Sequence, residues 1–497
     1  MAERVLVIGA GIGGLALALA LKKSGRDVVL IERDPPPPDI PPEAAFDQWQ
    51  RPGVPQFRHA HILLARVQTL LRDRHPEVHQ DLLRAGLELS RVQEVLPAGQ
   101  RDHYSPEPGD EDLLHFWGRR PTFEYVLRTH VGRLPNVSIL HSSRVTGLVT
   151  ETKGGEVHVR GVTLVRGGTE ETLHADLVVD ASGKRTKTPE WLEKQGVKIE
   201  RDSNPSRFVY ACRHYQLKDP GVGLPRLDGG GNLDFLGYAT FYGEHGSFAL
   251  TFGCPIDEKD LAAAMHRPEG FQALCGQLPV LERWVEASDA KTKVLGAGLF
   301  ENRWTRFGAA GGARLLGFFA VGDSYIETNP MYGRGCSAAF MEAHVLAEVL
   351  DATMEPAERA RRYYANAGAM LKPYYDLSVA TDRMYHLRAR LSRGERLTPG
   401  ERLLNWGYEA AWMPAVQSSM AVAREMVKSA EMRELSSAGT RLAVVFQLLL
   451  ALIRTLFGAR PASLPVAQPR RTELLGLLPA HEDDGVPAGA VEASLDP

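Results

Sequence analysis

The sequence predicts an α/β fold with three parts: a domain built on a parallel sheet, an antiparallel β-sheet domain and a helical carboxyl-terminal region. Three observations predict it. Residues 1–33 read strand, glycine-rich turn, helix, strand. Apolar β-type runs at 137–140, 145–149, 157–165 and 173–180 give way to an aromatic, β-rich stretch over 207–255. From about 356 to 460 the pattern is helical, with tyrosine, methionine and tryptophan on several faces.

The first element is the run Val5-Leu6-Val7-Ile8, which leads directly into Gly9-Ala10-Gly11-Ile12-Gly13-Gly14. A helical pattern follows to Leu21, then a second β run, Val28-Val29-Leu30-Ile31, and Glu32. This order is the one a Rossmann-like dinucleotide site needs. Gly9 allows the tight turn, Gly11 lets a pyrophosphate approach the backbone, and Gly14 lets helix and strand pack closely. The helix N-terminus offers unpaired N–H groups to phosphates. Glu32, 18 residues after Gly14, is spaced to accept hydrogen bonds from a ribose, with Arg33 beside it.

Composition narrows the function classes. The 497 residues are enough for two or three domains, and a net charge of −3 with 24% charged residues gives no basis for a nucleic-acid partner. Cys212, Cys254, Cys275 and Cys336 are scattered without CxxC spacing, so neither disulfides nor a metal site is expected. With the first strand at residue 5, no signal peptide is expected, and a cytoplasmic location fits. Residues 442–457 are the most apolar stretch, interrupted by Gln447 and Arg454; it reads as a docking helix, with peripheral membrane contact left open.

The proline-rich stretch 35–42 reads as an extended loop. Arg58, His59 and His61 sit just before a helix and are candidates to meet a cofactor or substrate; a covalent histidyl link is one variant of that reading. Pro121 opens a helix over 122–132. Glycine pairs at 154–155 and 167–168 mark hairpins. The strand 173–180 ends in Asp180-Ala181-Ser182-Gly183, at a strand tip where ligands bind in open α/β sheets. Residues 208–215, 233–242 and 247–252 read as a second sheet, the wall of a substrate chamber, followed by helices over 257–287. A strand at 315–321 ends in Gly322-Asp323. After it, Pro330-Met331-Tyr332-Gly333-Arg334-Gly335-Cys336 opens a helix over 337–351. Gly333 and Gly335 allow backbone N–H groups to face a ligand, and Asp323 can accept from a sugar-like hydroxyl. Two such sites, far apart in sequence, ask for a ligand with two separated polar regions. The expected division is 1–200 and 296–355 for the two parts of the cofactor domain, 201–295 for the β-rich substrate domain, 356–460 for the helical region, and 461–497 for a poorly ordered tail.

In this light the chain resembles the FAD-dependent oxidoreductases with the para-hydroxybenzoate hydroxylase-like fold. The likeness is carried by the GxGxxG turn with Glu32, by Arg120-Pro121-x-x-Glu124-x-x-x-Arg128, by Asp180-Ala181-Ser182-Gly183, and by Gly322-Asp323 with Pro330-x-x-Gly333-x-Gly335. It spans about the first 350 residues. The resemblance implies that Gly9, Gly11, Gly14 and Glu32 hold the ADP half of FAD, that Arg120 reaches the cofactor's linker, and that Asp323 binds the ribityl chain. It places Pro330 beside the flavin face and aims the helix after Gly335 at the pyrimidine ring, where charge develops on reduction.

The implied activity is monooxygenation, a hydroxylation of a small apolar substrate through a flavin C4a-hydroperoxide, with O2 as co-substrate. A dehydrogenase or double-bond reductase without oxygen insertion is the alternative, and a non-catalytic flavoprotein the bland one. Hydroxylases of the family that take hydride directly from NADPH or NADH read Ala-Asp-Gly where this chain has Ala181-Ser182-Gly183, so direct reduction and a separate reductase both stay open. The same turn occurs in flavin halogenases, whose Trp-x-Trp-x-Ile-Pro segment is absent here. His59, His61, Tyr332 and Arg334 are the candidates for proton transfer, the histidines because an imidazole titrating near neutrality suits a general base.

Overall fold

The computed structural model describes residues 2–224, 226–227, 229–298, 300–308, 312, 314–433, 438–458 and 469–478. At its centre lies a five-stranded parallel sheet. Its elements are β1 (Arg4–Ile8), α1 (Ile12–Ala20), β2 (Asp27–Ile31), α2 (Arg120–Val131), β3 (Val137–Leu140), β4 (Leu177–Asp180) and β5 (Phe318–Ala320). The strand order is β5-β4-β1-β2-β3. The strands are valine- and leucine-rich because the sheet is covered by helices such as α1 and by the strands Ser143–Lys153 and Glu156–Arg166, and Val5, Leu6, Val7, Val28 and Leu30 are fully buried. From β1 the chain turns one way to β2, while β4 lies on the other side. A crevice therefore opens at the carboxyl ends of β1 and β4, the switch point of the sheet.

Among the described residues four further sheets accompany this one, two of them larger than the other two. Strands Ser143–Lys153, Glu156–Arg166 and Thr169–His174 form a meander joined by tight turns, where Gly154, Gly155, Gly167 and Gly168 all have positive φ, as two-residue hairpins need. An antiparallel sheet joins Gly230–Asn232, Gly237–Tyr242, Ser247–Pro255, Phe208–Leu217 and Ser288–Ala290. Its aromatic core contains Tyr215, Phe248, Phe252, Phe271 and Trp284. Helices α3 (Gly335–Ala352) and α4 (Pro356–Ser392) follow; α3 packs on α1 and α4 packs on α3. The Tyr363 hydroxyl of α4 donates to the Ala320 carbonyl at 2.6 Å, which ties α4 to the tip of β5.

Three expectations are corrected. Residues 173–180 are two strands, not one, because the chain leaves the meander at Ala175 and enters the parallel sheet at Leu177. The run 315–321 also splits: Arg314–Leu316 pairs with the meander and Phe318–Ala320 with β4. Gly317, at φ +70, makes the switch, and a side chain there would meet the Val159 carbonyl at 2.6 Å. The expected loose tail lies mostly outside the described residues. Within them, however, Arg471–Gly476 is a helix that buries Leu474 in the core of the antiparallel sheet, with Leu475 and Leu478 against it. Among the described residues, no helix is long and apolar enough to cross a membrane.

Candidate functional site

The parallel register brings three turns side by side. Val7 pairs with Leu30 and Val179, and Ala320 pairs with Asp180, so Gly9, Glu32, Ala181 and Gly322 follow the ends of neighbouring strands. Gly9 has φ +99, and a Cβ there would lie 2.7 Å from the Ala181 carbonyl oxygen. A Cβ on Gly14 would fall 2.1 Å from the Gly9 carbonyl. Gly11 is different: nothing lies within 4 Å of where its Cβ would be. It is the N-cap of α1 and makes no side-chain capping bond, so the first N–H groups of α1 face open space.

Glu32 is 3% exposed and heavily engaged. It accepts from Arg51 at 2.6 Å, from Arg128 at 3.4 Å, and from the Ala10 and Asp34 amides at 3.2 and 3.0 Å. Burial alone would raise its pKa; the charges of Arg51 and Arg128 outweigh it and hold the carboxyl below its usual value. Arg51 also pairs with Asp34 at 2.9 Å and with the fully buried Glu124. The ribose contact expected of Glu32 must therefore share this carboxylate with Arg51. Arg33 is exposed and donates to the Gly53 carbonyl.

The second half of the cleft is Asp323 and the start of α3. The Gly322 N–H is held by the buried carboxyl of Glu342, which sets the turn at φ +69. No hydrogen bond reaches the Asp323 carboxylate from the described residues. Burial raises its pKa against the pull of Arg120, Lys184 and Arg303. Its oxygen lies 3.6 Å from where a Cβ of Gly335 would be, and Gly335 is the first residue of α3. A carboxylate without a partner beside an uncapped helix start, with open space over Gly11 on the neighbouring tip, fits the ribityl and pyrophosphate parts of a flavin dinucleotide. Arg120 fits its linker: the guanidinium opens α2, is buried, and feels both Asp323 and the Cys336 thiol.

Several candidates are committed elsewhere. Asp180 organises its own turn, accepting from the Ser182 amide and hydroxyl at 2.9 and 2.6 Å and from the Thr186 and Thr188 hydroxyls. Arg58 donates to the Phe46 carbonyl at 2.9 Å and to Asp47 at 3.3 Å. Tyr332 and Arg334 point away from the sheet tips to α4. The Tyr332 hydroxyl donates to Asp382 at 2.6 Å, and Arg334 donates to the Tyr374 carbonyl at 3.2 Å and to Ser378. Pro330 is exposed at the start of this turn, and Gly333, at φ +64, packs on Ile62 so closely that a Cβ would clash with it at 2.2 Å.

The expectation that His59 or His61 titrates near neutrality is overturned. Burial, with the charge of Lys184, pushes His59 down to about 4; burial and Arg120 push His61 down to about 3. Both rings are neutral at pH 7. Arg120 can only donate, so His61 Nε2 accepts from it at 3.1 Å, and His61 Nδ1–H donates to the His59 carbonyl at 2.8 Å. Both nitrogens of His61 are thus occupied. His214 stands beside them, its Nε2–H donating to the Arg58 carbonyl at 2.7 Å. With Arg119, Phe241, Tyr242 and Ala249 these histidines line a recess of about 10 Å³, room for one water.

Sequence reasoning missed four residues. Lys184 follows the Asp-Ala-Ser-Gly turn and faces Asp323, Glu327 and His59, with its ammonium 5.3 Å from the Phe300 ring centre. Arg303 pairs with Glu327 at 2.9 Å. Arg51 neutralises Glu32 and Glu124. Asp382, on α4, holds the Pro330–Tyr332 turn: it accepts from Asn302 at 2.7 Å, Asn329 at 2.8 Å and Tyr332 at 2.6 Å. Only Lys184 had a signal, its place just after the turn. Among the described residues no three His, Cys, Asp or Glu side chains gather as a metal site.

Residues 4–39 match the family model described as FAD dependent oxidoreductase. Protein Rv3254 of Mycobacterium tuberculosis is 29% identical over 368 residues, covering 70% of this chain and 73% of that protein. Among solved structures, the flavin-dependent brominase Bmp2 superposes with a TM-score of 0.58 at 14% identity, over 92% of this chain and 100% of its own. PqsL, a probable FAD-dependent monooxygenase from Pseudomonas aeruginosa, superposes with a TM-score of 0.57 at 17% identity, over 78% of this chain and 96% of its own. The chain has the fold these proteins share.

Proposed function

We propose, from the fold the chain shares with flavin-dependent enzymes and the match of residues 4–39 to the FAD dependent oxidoreductase model, that it is an FAD-dependent monooxygenase hydroxylating a small, apolar organic substrate with O2. The observation that carries the cofactor half of this reading is the half-buried Asp323 carboxylate, which no hydrogen-bond donor among the described residues reaches, beside the first turn of α3, together with the open backbone at Gly11. Bound there, FAD would supply the electron transfer and the activation of oxygen. The residues of this chain have other tasks. Gly11 and the first amides of α1 would receive the pyrophosphate, Asp323 a ribityl hydroxyl, and Arg120 the linker. The positive end of α3, with Lys184 and Arg120, would favour negative charge on the ring system. The turn from Pro330 to Gly335, pinned by Asp382, would set the wall of the oxygen-side chamber, and the antiparallel sheet would close it against water. With His61 fully hydrogen-bonded and His59 depressed to about 4, neither is a strong base; the two present a neutral, positioned face to the substrate.

NADPH or NADH is the proposed source of electrons, delivered directly or through a separate reductase, in a cytoplasmic setting. Anaerobic addition of NADPH or NADH to the flavin-loaded protein tests this: prompt bleaching of the flavin bands supports direct reduction, and bleaching only after a reductase is added supports the second route. Substrate-dependent O2 uptake with an oxygenated product supports monooxygenation. Oxidised product without O2 incorporation supports the dehydrogenase or reductase reading. The shared Asp-Ala-Ser-Gly turn favours one further outcome worth reading in the same assay, product formation that requires chloride or bromide. A protein that takes up no FAD at all would overturn the reading.

A further inference from the structure

The helix α5 (Ala438–Leu456) is largely apolar, broken by Arg441, Gln447 and Arg454, and the fold buries one side of it. Val444, Leu448 and Ala451 pack on Ala415, Val416 and Val422, and the Thr455 hydroxyl donates to the Ala410 carbonyl at 2.9 Å. These four positions follow helical spacing and fix the inner face. The opposite face carries Leu442, Val445, Phe446, Leu449, Ile453, Leu456 and Phe457, all exposed, with Leu442 at 71% and Phe457 at 88%. This stripe runs for roughly 22 Å along the helix. A continuous exposed apolar stripe of this size marks a binding face. Trp412, in the helical turn Tyr408–Trp412 on which α5 packs, and Trp406 just before it are also exposed, as are Leu403 and Leu404.

Charge decides between occupants. Residues 435–472 contain five arginines and no aspartate, glutamate or lysine, in a chain whose net charge is −3. Arg471 is paired with Glu258 at 2.9 Å; Arg454 stands exposed next to the stripe. A second copy of the chain would bring the same net-positive segment against this one, whereas an anionic lipid surface complements it. Tryptophan and phenylalanine beside an apolar stripe are the side chains that settle at the boundary between headgroups and acyl chains.

We infer that α5 is a membrane-surface docking helix: it lies in the plane of an anionic bilayer, with Leu442, Phe446, Leu449, Ile453 and Phe457 in the acyl region. The inference is independent of the flavin chemistry, because α5 is remote in sequence from the cleft and its exposed face takes no part in it.

Co-sedimentation of the full chain with phosphatidylcholine vesicles, with and without about 30% phosphatidylserine, tests it. The expected result is binding to the anionic vesicles, at least tenfold weaker without phosphatidylserine and weaker again at about 1 M salt, where the screening length falls to roughly 3 Å. Phe446→Glu and Leu449→Glu should each lower the partition coefficient at least tenfold, and Phe446→Ser should lower it with no change in charge. Leu83→Glu, on another exposed apolar residue, should leave it unchanged. Circular dichroism of each variant establishes that it is folded. Failure of the wild-type chain to bind any vesicle overturns the inference. So does light scattering that shows a dimer broken by Phe446→Glu without any lipid binding, which would assign the face to a second copy.

Discussion

Asp382→Ala is expected to loosen the Pro330–Tyr332 turn, the proposed wall of the oxygen-side chamber. The carboxyl accepts from three buried donors: Asn302 Nδ2, Asn329 Nδ2 and the Tyr332 hydroxyl. Each donor stranded without an acceptor costs about 1–3 kcal/mol, so the gross loss is roughly 3–9 kcal/mol. Burial of the carboxyl, which raises its pKa, works the other way, and water entering the vacated space recovers part of the loss. A net destabilisation of about 3–5 kcal/mol remains. Asp382→Asn keeps one oxygen for two of the donors and turns an amide toward Asn302, so it should cost about 1–2 kcal/mol. Urea unfolding followed by tryptophan fluorescence gives the two values, and FAD titration by fluorescence quenching reads the turn itself. The order wild type, Asp382→Asn, Asp382→Ala should hold in both assays. An alanine variant within about 1 kcal/mol of wild type, with unchanged FAD affinity, would refute the assignment of Asp382 as the residue that positions the turn.

Asp323→Ala should weaken FAD binding by at least about 100-fold, two charge-assisted hydrogen bonds' worth, while the cofactor-free protein melts at the same temperature or higher, because a desolvated carboxylate has been removed. Equal FAD content in the variant would count against placing the ribityl chain there. Gly14→Ala should prevent folding of the amino-terminal unit, since the new Cβ would sit 2.1 Å from the Gly9 carbonyl; recovery of a normal soluble yield would contradict the packing. Stability should fall as the pH drops below about 6.5. His59, His61 and His214 have folded values near 4, 3 and 4, so the unfolded chain binds protons first. Their contribution is complete above the unfolded value and is lost as pH falls toward 4, on the order of 6 kcal/mol by pH 5. His61→Gln should flatten that slope in urea titrations at pH 7 and pH 5, and an unchanged slope would show that the ring is not buried as described.

The parts of the fold legible in the sequence are those whose causes are local. The run from Val5 to Glu32 declares strand, turn, helix and strand because apolar spacing and glycine placement act over a few residues. The glycine pairs at 154–155 and 167–168 likewise state their hairpins, with positive φ at all four. What was hidden depends on distance. At residue 317 the glycine marks a break in one apolar run, but which sheets its two halves join is decided by the partners Val157 and Val178. Asp382 lies far along the chain from Asn302 and Asn329, and Arg51 from Glu124, so neither network can be read from spacing. The histidines show the same limit in chemical form. A sequence gives the imidazole, but its burial and the guanidinium of Arg120 decide the protonation state.

The order of strands in the central sheet has a consequence for how the chain is made. β4 ends at Asp180, and the strand that covers its free edge, β5, begins at Phe318. At the pace of translation, about 5–20 residues per second, roughly 7–28 s separate their synthesis. During that interval Leu177–Asp180, a short apolar strand, has its outer edge unpaired and open to pairing with other chains. Asp323 and the first turn of α3 arrive later still, so the two halves of the cleft first meet after about two thirds of the chain is complete. Fragments that stop before residue 320 keep the glycine-rich turn but lack the edge strand that protects it. They should aggregate where the full chain does not, and the amino-terminal half is therefore a poor choice for separate expression.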